Sequence, residues 1–421
     1  MNVTERHARL DLRLPFRHAS PMKLLLTGDL HLGRTSTRLP SGQRERGRTI
    51  SAWKRLVHAA LDEKVHAVVL SGDVLDETNS YWEASGPFQR GIQELAAKGI
   101  RTLAVAGNHD ADVLPSLANS LPPEAFTLIG TNGKWERVTL EENGSPALHI
   151  DGWSFPSRTF RQDPTQSYQA RASDHLPVLG VVHGDLGATE SSYAPLSLSR
   201  LQSYPVDGWL LGHLHKPSFT SGSPWVLMPG SPHPLDPGEP DLHQAWIVET
   251  KNGSLTEPRP CCPATLLYRT LELELTPSDD LSLDHLQAKI RSEVQQTTSD
   301  AFQILRVNFT GQHDHVNELT ELTQHLTDWE APDACIEKVS IDVLPSLELD
   351  ALQNAGPVPS YLASALKDIP PELHSRLEQT LRTLTHQKEF NAHGLNEISL
   401  QDLPLRPLLE RTLRCTLEAS E

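Results

Sequence analysis

The sequence predicts an α/β protein with a large sheet-based core, a smaller β-α-β-α-β domain and a helical C-terminal tail. Three patterns carry this reading. From Met22 onward, short apolar runs alternate with segments of helical spacing, and the runs end in turns rich in glycine and polar residues. A second alternation of strand and helix fills Tyr268 to Leu344. Beyond Pro345, short helical patterns are broken repeatedly by proline. A chain of 421 residues also exceeds one ordinary core. The expected division is a mobile extension over 1–21, a core domain over 22–260, a small capping domain over 261–344 and a tail over 345–421.

In chain order, Lys23 to Thr27 reads as a buried strand, followed by Ile50, Trp53, Leu56, Val57, Ala60 and Leu61 at helical spacing. Val65 to Leu70 is a strand. Phe88, Ile92, Leu95 and Ala96 mark a helix stopped by Gly99, and Thr102 to Ala106 is the next strand. Further apolar runs fall at Val178 to Val182, Trp209 to Leu211, Trp225 to Met228 and Ala245 to Val248. The small domain reads as strand Tyr268 to Leu275, helix Leu283 to Val294, strand Phe302 to Phe309, helix Val316 to Trp329 and strand Ile336 to Leu344.

Composition excludes several classes. No apolar run approaches the roughly 18 residues of a membrane span, and the opening segment lacks the apolar stretch of a signal peptide, so a cytoplasmic protein without membrane contact is expected. Cys261, Cys262, Cys335 and Cys415 have neither metal-finger spacing nor disulfide density and read as ordinary thiols. The net charge of −17 argues against holding nucleic acid by bulk electrostatics. The acidity is uneven: Lys plus Arg against Asp plus Glu is 25 to 28 over residues 1–260, but 12 to 26 over 261–421. Between Arg34 and Arg55 the sign reverses, with Arg34, Arg38, Arg44, Arg46, Arg48, Lys54 and Arg55 against Glu45 alone. This is either a phosphate-facing strip or a solvated loop and helix face.

Five motifs follow predicted strands: Gly28-Asp29-Leu30-His31, Gly72-Asp73-Val74-Leu75-Asp76, Gly107-Asn108-His109-Asp110, His183-Gly184-Asp185 and Gly212-His213-Leu214-His215. Open α/β sheets keep ligands at such carboxyl-terminal strand edges. The glycines would let the backbone turn sharply beside the site. Carboxylate, imidazole and amide oxygen without cysteine suit hard or borderline divalent ions such as manganese, iron or zinc. In Asp29-Leu30-His31 and His213-Leu214-His215 the polar residues share a face if the segment is extended, or turn inward together on a loop.

These motifs resemble those of the calcineurin-like metallophosphoesterases, and the blocks MKLLLTGDLHLGR, VVLSGDVLDE and AVAGNHD are similar to the SbcD-type branch of DNA-repair exonucleases. Met228-Pro229-Gly230-Ser231-Pro232 and the following Leu235-Asp236-Pro237-Gly238-Glu239 resemble the same branch. The likeness covers residues 22–250. It implies a β-sandwich flanked by helices (αββα) and two divalent metal ions, manganese foremost. By that resemblance Asp29, His31 and His215 would hold one ion, Asn108, His183 and His213 the other, and Asp73 would bridge them. His109 would stand at the scissile phosphate as acid or charge stabiliser. Asp76 and Asp110 would support the ligands through hydrogen bonds.

The resemblance further implies a metal-dependent DNA nuclease of 3′-to-5′ exonuclease and endonuclease type, acting in repair. Its partners would be DNA, reached through Arg34, Arg38, Arg44, Arg46 and Arg48, and an SbcC-type coiled-coil ATPase; a homodimer is among the arrangements it allows. Leu373, Leu377, Leu381 and Leu384 in the acidic tail suit docking on a protein better than on DNA. Two other readings stand beside it: a phosphodiesterase for a small nucleotide or other phosphodiester, and a non-catalytic scaffold for an ATPase.

Overall fold

The computed structural model describes residues 21–76, 81–169, 175–240, 242–297 and 300–345, together with 360, 361, 363–365 and 376. The extension before residue 21 and the tail leucines Leu373, Leu377, Leu381 and Leu384 lie outside the described residues. The first elements are β1 (Lys23–Thr27), α1 (Thr49–Asp62), β2 (Ala67–Leu70), α2 (Tyr81–Ala96), β3 (Arg101–Ala104), α3 (Leu114–Ala118) and β4 (Phe126–Leu128). Then come β5 (Glu136–Glu142), β6 (Ser145–Trp153), β7 (Val178–His183), β8 (Asp185–Leu186), β9 (Pro195–Leu196) and α4 (Leu198–Leu201). They lead into β10 (Gly208–Gly212), β11 (Ser218–Thr220) and β12 (Trp225–Met228), and next β13 (Ala245–Lys251), β14 (Ser254–Leu255) and β15 (Arg259–Cys261). The last are β16 (Leu266–Leu275), α5 (Leu283–Gln295), β17 (Phe302–Gln312), α6 (Val316–Thr327) and β18 (Ala334–Leu344).

Two sheets form the main body. One runs β14-β13-β1-β2-β3-β4, with β15 also on β13; the other runs β11-β12-β10-β7-β6-β5. Strands β1 to β4 are mutually parallel, as are β6, β7, β10 and β12. Central parallel strands are buried on both faces, which is why Lys23–Thr27 reads as a continuous apolar run rather than an alternating one.

The period of two then sorts the side chains. Leu24, Leu26, Ala67, Val69 and Leu103 face the second sheet, where they meet Leu148, Ile150, Leu179, Val181, Leu210 and Leu227. Leu25, Val68, Leu70 and Ala104 face the other way, onto Trp53 and Leu56 of α1 and Phe88, Ile92 and Leu95 of α2. Leu24, Leu25 and Leu26 are all fully buried, and each such side chain contributes about 1.5–3 kcal/mol. Helix α2 ends before Gly99, whose φ of 76° closes the helix.

The outer face of the second sheet is covered differently. Trp153, Val182, Trp209, Leu211 and Met228 lie under Phe155, Tyr168, Leu196 and Leu201, a layer built from loops, the two-residue β9 and the short α4. Trp209 packs edge-on against Tyr168 and Trp135 at 5.4 and 5.9 Å between ring centroids. The result is a two-sheet sandwich with helices on one side and an aromatic loop layer on the other.

The chain divides into two compact units, one of Met1–Leu273, Leu281–Asn308 and Glu321–Ser340, the other of Glu274–Asp280, Phe309–Thr320 and Ile341–Glu421. Strands β16, β17 and β18 form a three-stranded sheet in that order, alternating with α5 and α6 along the chain. Among the described residues no helix is long and apolar enough to cross a membrane.

Candidate metal centre

Strands β1, β2, β3, β7 and β10 each end at or just before one of the five motifs. Because β1 stops at Thr27 and β10 at Gly212, the Asp-x-His and His-x-His pairs sit on loops rather than on extended segments. The loops are tightly wound: Asp29, His31, Asp73 and His213 have φ of 50°, 42°, 48° and 104°. A non-glycine residue held there costs on the order of 1–3 kcal/mol. Backbone pairing fixes it, with Asp29 N donating to Gly72 O at 3.0 Å and His31 N to Asp73 O at 2.9 Å.

The expected role of the glycines needs correction. Gly72 does adopt a left-handed φ of 101°, but Gly28, Gly107 and Gly212 do not; they are required for space. A Cβ on Gly107 would lie 2.1 Å from Asp73 Oδ1, and one on Gly212 would lie 2.2 Å from Ser71 O. The sharp turns are borne by the acidic and histidine residues themselves.

The eight motif side chains converge. His183 Nε2 lies 3.0 Å from Asn108 Oδ1 and 3.4 Å from Asp73 Oδ2, and His213 Nδ1 lies 3.2 Å from the same Asn108 oxygen. Across Asp73, His31 Nε2 lies 3.8 Å from its Oδ2 and 3.0 Å from His215 Nε2. Three groups come close enough to share an ion: Asp29, His31 and His215; Asp73, His183 and His213; and His31, Asp73 and His109. Asp73 belongs to two of them. His109 stands at the rim, edge-on to His31 at 4.9 Å and with a side chain 41% exposed.

The donor set fits divalent cations. Asp29, Asp73 and His183 are essentially fully buried, yet among the described residues no lysine or arginine forms an ion pair with them. Burial pushes the Asp29 carboxyl up, against the pull of His183. Burial also pushes the Asp73 carboxyl up, but His183, His31 and His109 outweigh it and hold it below its ordinary range. His183 Nδ1 bonds Ser71 O at 3.0 Å, leaving Nε2 to face only the acceptors Asn108 Oδ1 and Asp73 Oδ2. A proton or a cation must occupy that gap. Burial opposes the proton, but Asp73 prevails and raises the His183 imidazole to about 9. His213 is pushed by burial down to about 4, so it offers a free lone pair. A cation entering this site would therefore displace protons.

Neighbours hold the ligands and their loops. Asp110 is buried, its oxygens accepting from Gly107 N at 2.8 Å, Val74 N at 2.7 Å and Leu75 N at 3.3 Å. It thus braces two motif loops, and burial followed by Asp73 pushes its carboxyl up. Asp76 faces His109 Nδ1 at 3.5 Å and Arg34 Nε at 3.4 Å. Its hydrogen bond raises the His109 imidazole. Sequence reasoning assigned no role to Glu239, whose Oε1 lies 2.6 Å from His215 Nδ1; the Gly238-Glu239 pair was the available signal. Nothing in the sequence singled out Tyr193, whose ring lies 5.1 Å from that of His213.

A family model described as calcineurin-like phosphoesterase matches residues 22–217, the stretch that holds all eight motif residues. These residues are a calcineurin-like phosphoesterase domain. The chain is 25% identical over 264 residues to a Bacillus subtilis protein named uncharacterized metallophosphoesterase YhaO, covering 61% of this chain and 60% of that one. It is 23% identical to the SbcD component of the nuclease SbcCD of Escherichia coli, covering 56% of this chain and 66% of the relative. It is also 23% identical over 303 residues to the DNA double-strand break repair protein Mre11 of Sulfolobus acidocaldarius, covering 69% and 75% of the two chains. The match thus spans less than two thirds of the first two relatives. Among solved structures, a dimetal phosphatase from Danio rerio aligns at 15% identity and a TM-score of 0.35, over 55% of this chain and 93% of that one.

On the phosphoesterase domain, the arginines that could read as a phosphate-facing strip or as a solvated face are dispersed. Arg34 reaches the rim through Asp76, Arg48 pairs with Glu45 at 3.2 Å, and the Arg46 guanidinium lies 5.4 Å from the centre of the Phe302 ring. Arg38 and Arg44 are exposed. Arg55 does not belong with them: its guanidinium nitrogens are all buried, and burial lowers its pKa against the pull of the neighbouring Cys262.

Proposed function

We propose that this metallophosphoesterase is a DNA nuclease using two divalent ions, manganese by preference, to hydrolyse phosphodiesters. The observation that carries the reading is Asp73, whose carboxylate belongs both to the group with His183 and His213 and to the group with His31 and His109. Asp29, His31 and His215 would hold one ion, and Asn108, His183 and His213 the other, with Asp73 between them. Bound there, paired ions polarise the phosphoryl group and activate water for in-line attack. The chain's own part is positional. Hydrolysis breaks one P–O ester bond, and the departing oxygen needs a proton. His109, half-buried at the rim and raised by Asp76, would give it. Arg34, held at the same carboxylate, is placed to receive a neighbouring phosphate.

The names of the SbcD and Mre11 relatives favour a DNA substrate in repair, and the exposed arginines of 34–48 suit a polymer longer than one phosphodiester. The same relatives favour an SbcC-type ATPase partner, for which residues 345–421, with 11 Asp and Glu against 7 Lys and Arg and a run of leucines at helical spacing, are the proposed docking segment. The complete set of ligands speaks against a scaffold without activity. The test is hydrolysis of end-labelled single-stranded and duplex DNA with manganese, set against bis(p-nitrophenyl) phosphate. Cleavage of both supports the nuclease. Cleavage of the small ester alone moves the substrate to a small phosphodiester, and cleavage of neither sinks the catalytic reading.

A further inference from the structure

The loop that carries Arg34 to Arg48 departs from one ligand of the proposed centre and is clamped midway to a segment joined to another. At its start, Arg34 N donates to His31 O at 3.0 Å. At its end, Thr49 N donates to Arg34 O at 3.2 Å, and the Thr49 hydroxyl lies 3.1 Å from His31 O. Both ends are therefore fixed on the main chain of His31. In the middle, Thr37 N donates to Leu235 O at 2.8 Å and Ser36 Oγ to Pro234 O at 2.6 Å. The segment that receives these bonds is tied to His215 twice, by the main-chain bond from Ser231 N to His215 O at 3.1 Å and by one side chain that also reaches Leu235. Glu239 Oε2 accepts from Leu235 N at 2.8 Å, while its Oε1 accepts from His215 Nδ1 at 2.6 Å.

We propose that Glu239 is a positioning residue that couples metal occupancy at His31 and His215 to the placement of the arginine loop, so that the loop is set to grip a polyanion only when this side of the centre is loaded. The inference rests on the proposed two-ion reading of the site. Its chemistry is that of a carboxylate with both oxygens committed. A cation held by His215 would withdraw charge from its ring and strengthen the Nδ1–H bond to Glu239. The same carboxylate then holds Leu235, and through Leu235 the loop at Thr37. Glu239→Gln has one acceptor oxygen in place of two, so its amide nitrogen must face either the His215 or the Leu235 donor. One of the two ties is broken with almost no change in shape.

The test uses the full chain, checked for folding by circular dichroism, with manganese as the only added ion and no nucleic acid. Manganese binding is measured calorimetrically, and tryptic cleavage after Arg38, Arg44, Arg46 and Arg48 is followed by mass spectrometry with and without the metal. In the wild type, manganese slows cleavage of the loop. In Glu239→Gln one ion binds about 10–100-fold more weakly, and under manganese concentrations that saturate the wild type the loop is cut as fast as without metal. His213→Ala, on the other side of Asp73, keeps the protection. Wild-type affinity and protection in Glu239→Gln overturn the coupling, as does a wild-type loop cut at one rate while two ions bind. A wild type that binds no manganese overturns the two-ion reading and the coupling together.

Discussion

The main-chain N–H of His109 donates to Asp73 Oδ1 at 2.9 Å, so the carboxylate shared by two of the candidate ion-holding groups also fixes the residue proposed to protonate the leaving oxygen. Its other oxygen faces His183 at 3.4 Å and His31 at 3.8 Å. Asp73→Asn removes the charge while keeping the shape, and metal content is expected to fall at both positions, as measured by plasma mass spectrometry. A variant that holds one ion at wild-type affinity would show that Asp73 does not bridge.

His109→Ala should keep both ions and lose about 10²–10⁴-fold in the rate of DNA hydrolysis. The loss should be much smaller on bis(p-nitrophenyl) phosphate, whose leaving group departs without a proton. Equal losses on both substrates would assign His109 to charge stabilisation, and loss of an ion would make it a ligand, as its approach to His31 and Asp73 allows.

Gly107→Ala tests the crowding behind the site. The added methyl would meet Asp73 Oδ1 at 2.1 Å and Asp73 N at 2.6 Å, so the carboxylate must move. Overpacking of this kind costs about 1–3 kcal/mol. The expected outcome is a folded protein with a lowered urea midpoint and weakened manganese binding; unchanged metal affinity would mean that the loops adjust without disturbing Asp73.

His233 gives a pH signature away from the ligands. It is 2% exposed, and burial, then Arg55 and His243, push its imidazole down to about 3. The unfolded chain binds a proton there near pH 6.5, which the folded chain refuses. Its contribution is present in full above about 6.5 and is lost as pH falls toward about 3, at about 1.4 kcal/mol per unit. Between pH 7.5 and 5, in EDTA, the wild type should lose about 1–2 kcal/mol more stability than His233→Gln. Parallel pH profiles would show that His233 is protonated in the fold.

With a coiled-coil ATPase subunit added to the full chain, hydrogen exchange should slow over residues 345–421 and leave the motif loops unchanged. Protection confined to residues 22–344 would place the docking surface elsewhere.

Much of this was legible because the strands announce themselves. Leu24 to Leu26, Val68 to Leu70 and Trp209 to Leu211 are apolar runs buried on both faces, and each leads straight into a motif. The hairpin β5–β6 was not legible: Glu136–Glu142 is an edge strand, mostly half-exposed, and its charged residues leave no apolar run. The covering of the second sheet was hidden for another reason. Trp135, Tyr168 and Tyr204 reach Trp209 from scattered loops with no common period. Arg55 was misplaced because charge counting cannot tell which way a helix residue points. The left-handed backbone at Asp29, His31, Asp73 and His213 had no signal either, since glycines beside them offered a simpler account of the turns.

The hydrogen bonds from His213 N to Asp29 join residues 184 positions apart, and β13 completes the first sheet by pairing with β1. During synthesis, Asp29 emerges early and waits for its closing partners until the ribosome has released the chain beyond Glu239 and β13. Pairings so distant in sequence form slowly. An ion that recognises only the assembled cluster then acts on the folding equilibrium itself, favouring the native state by about 2.7 kcal/mol at a hundred times its dissociation constant. A cell short of that ion would hold less of the protein, through faster proteolytic turnover, as well as a less active one.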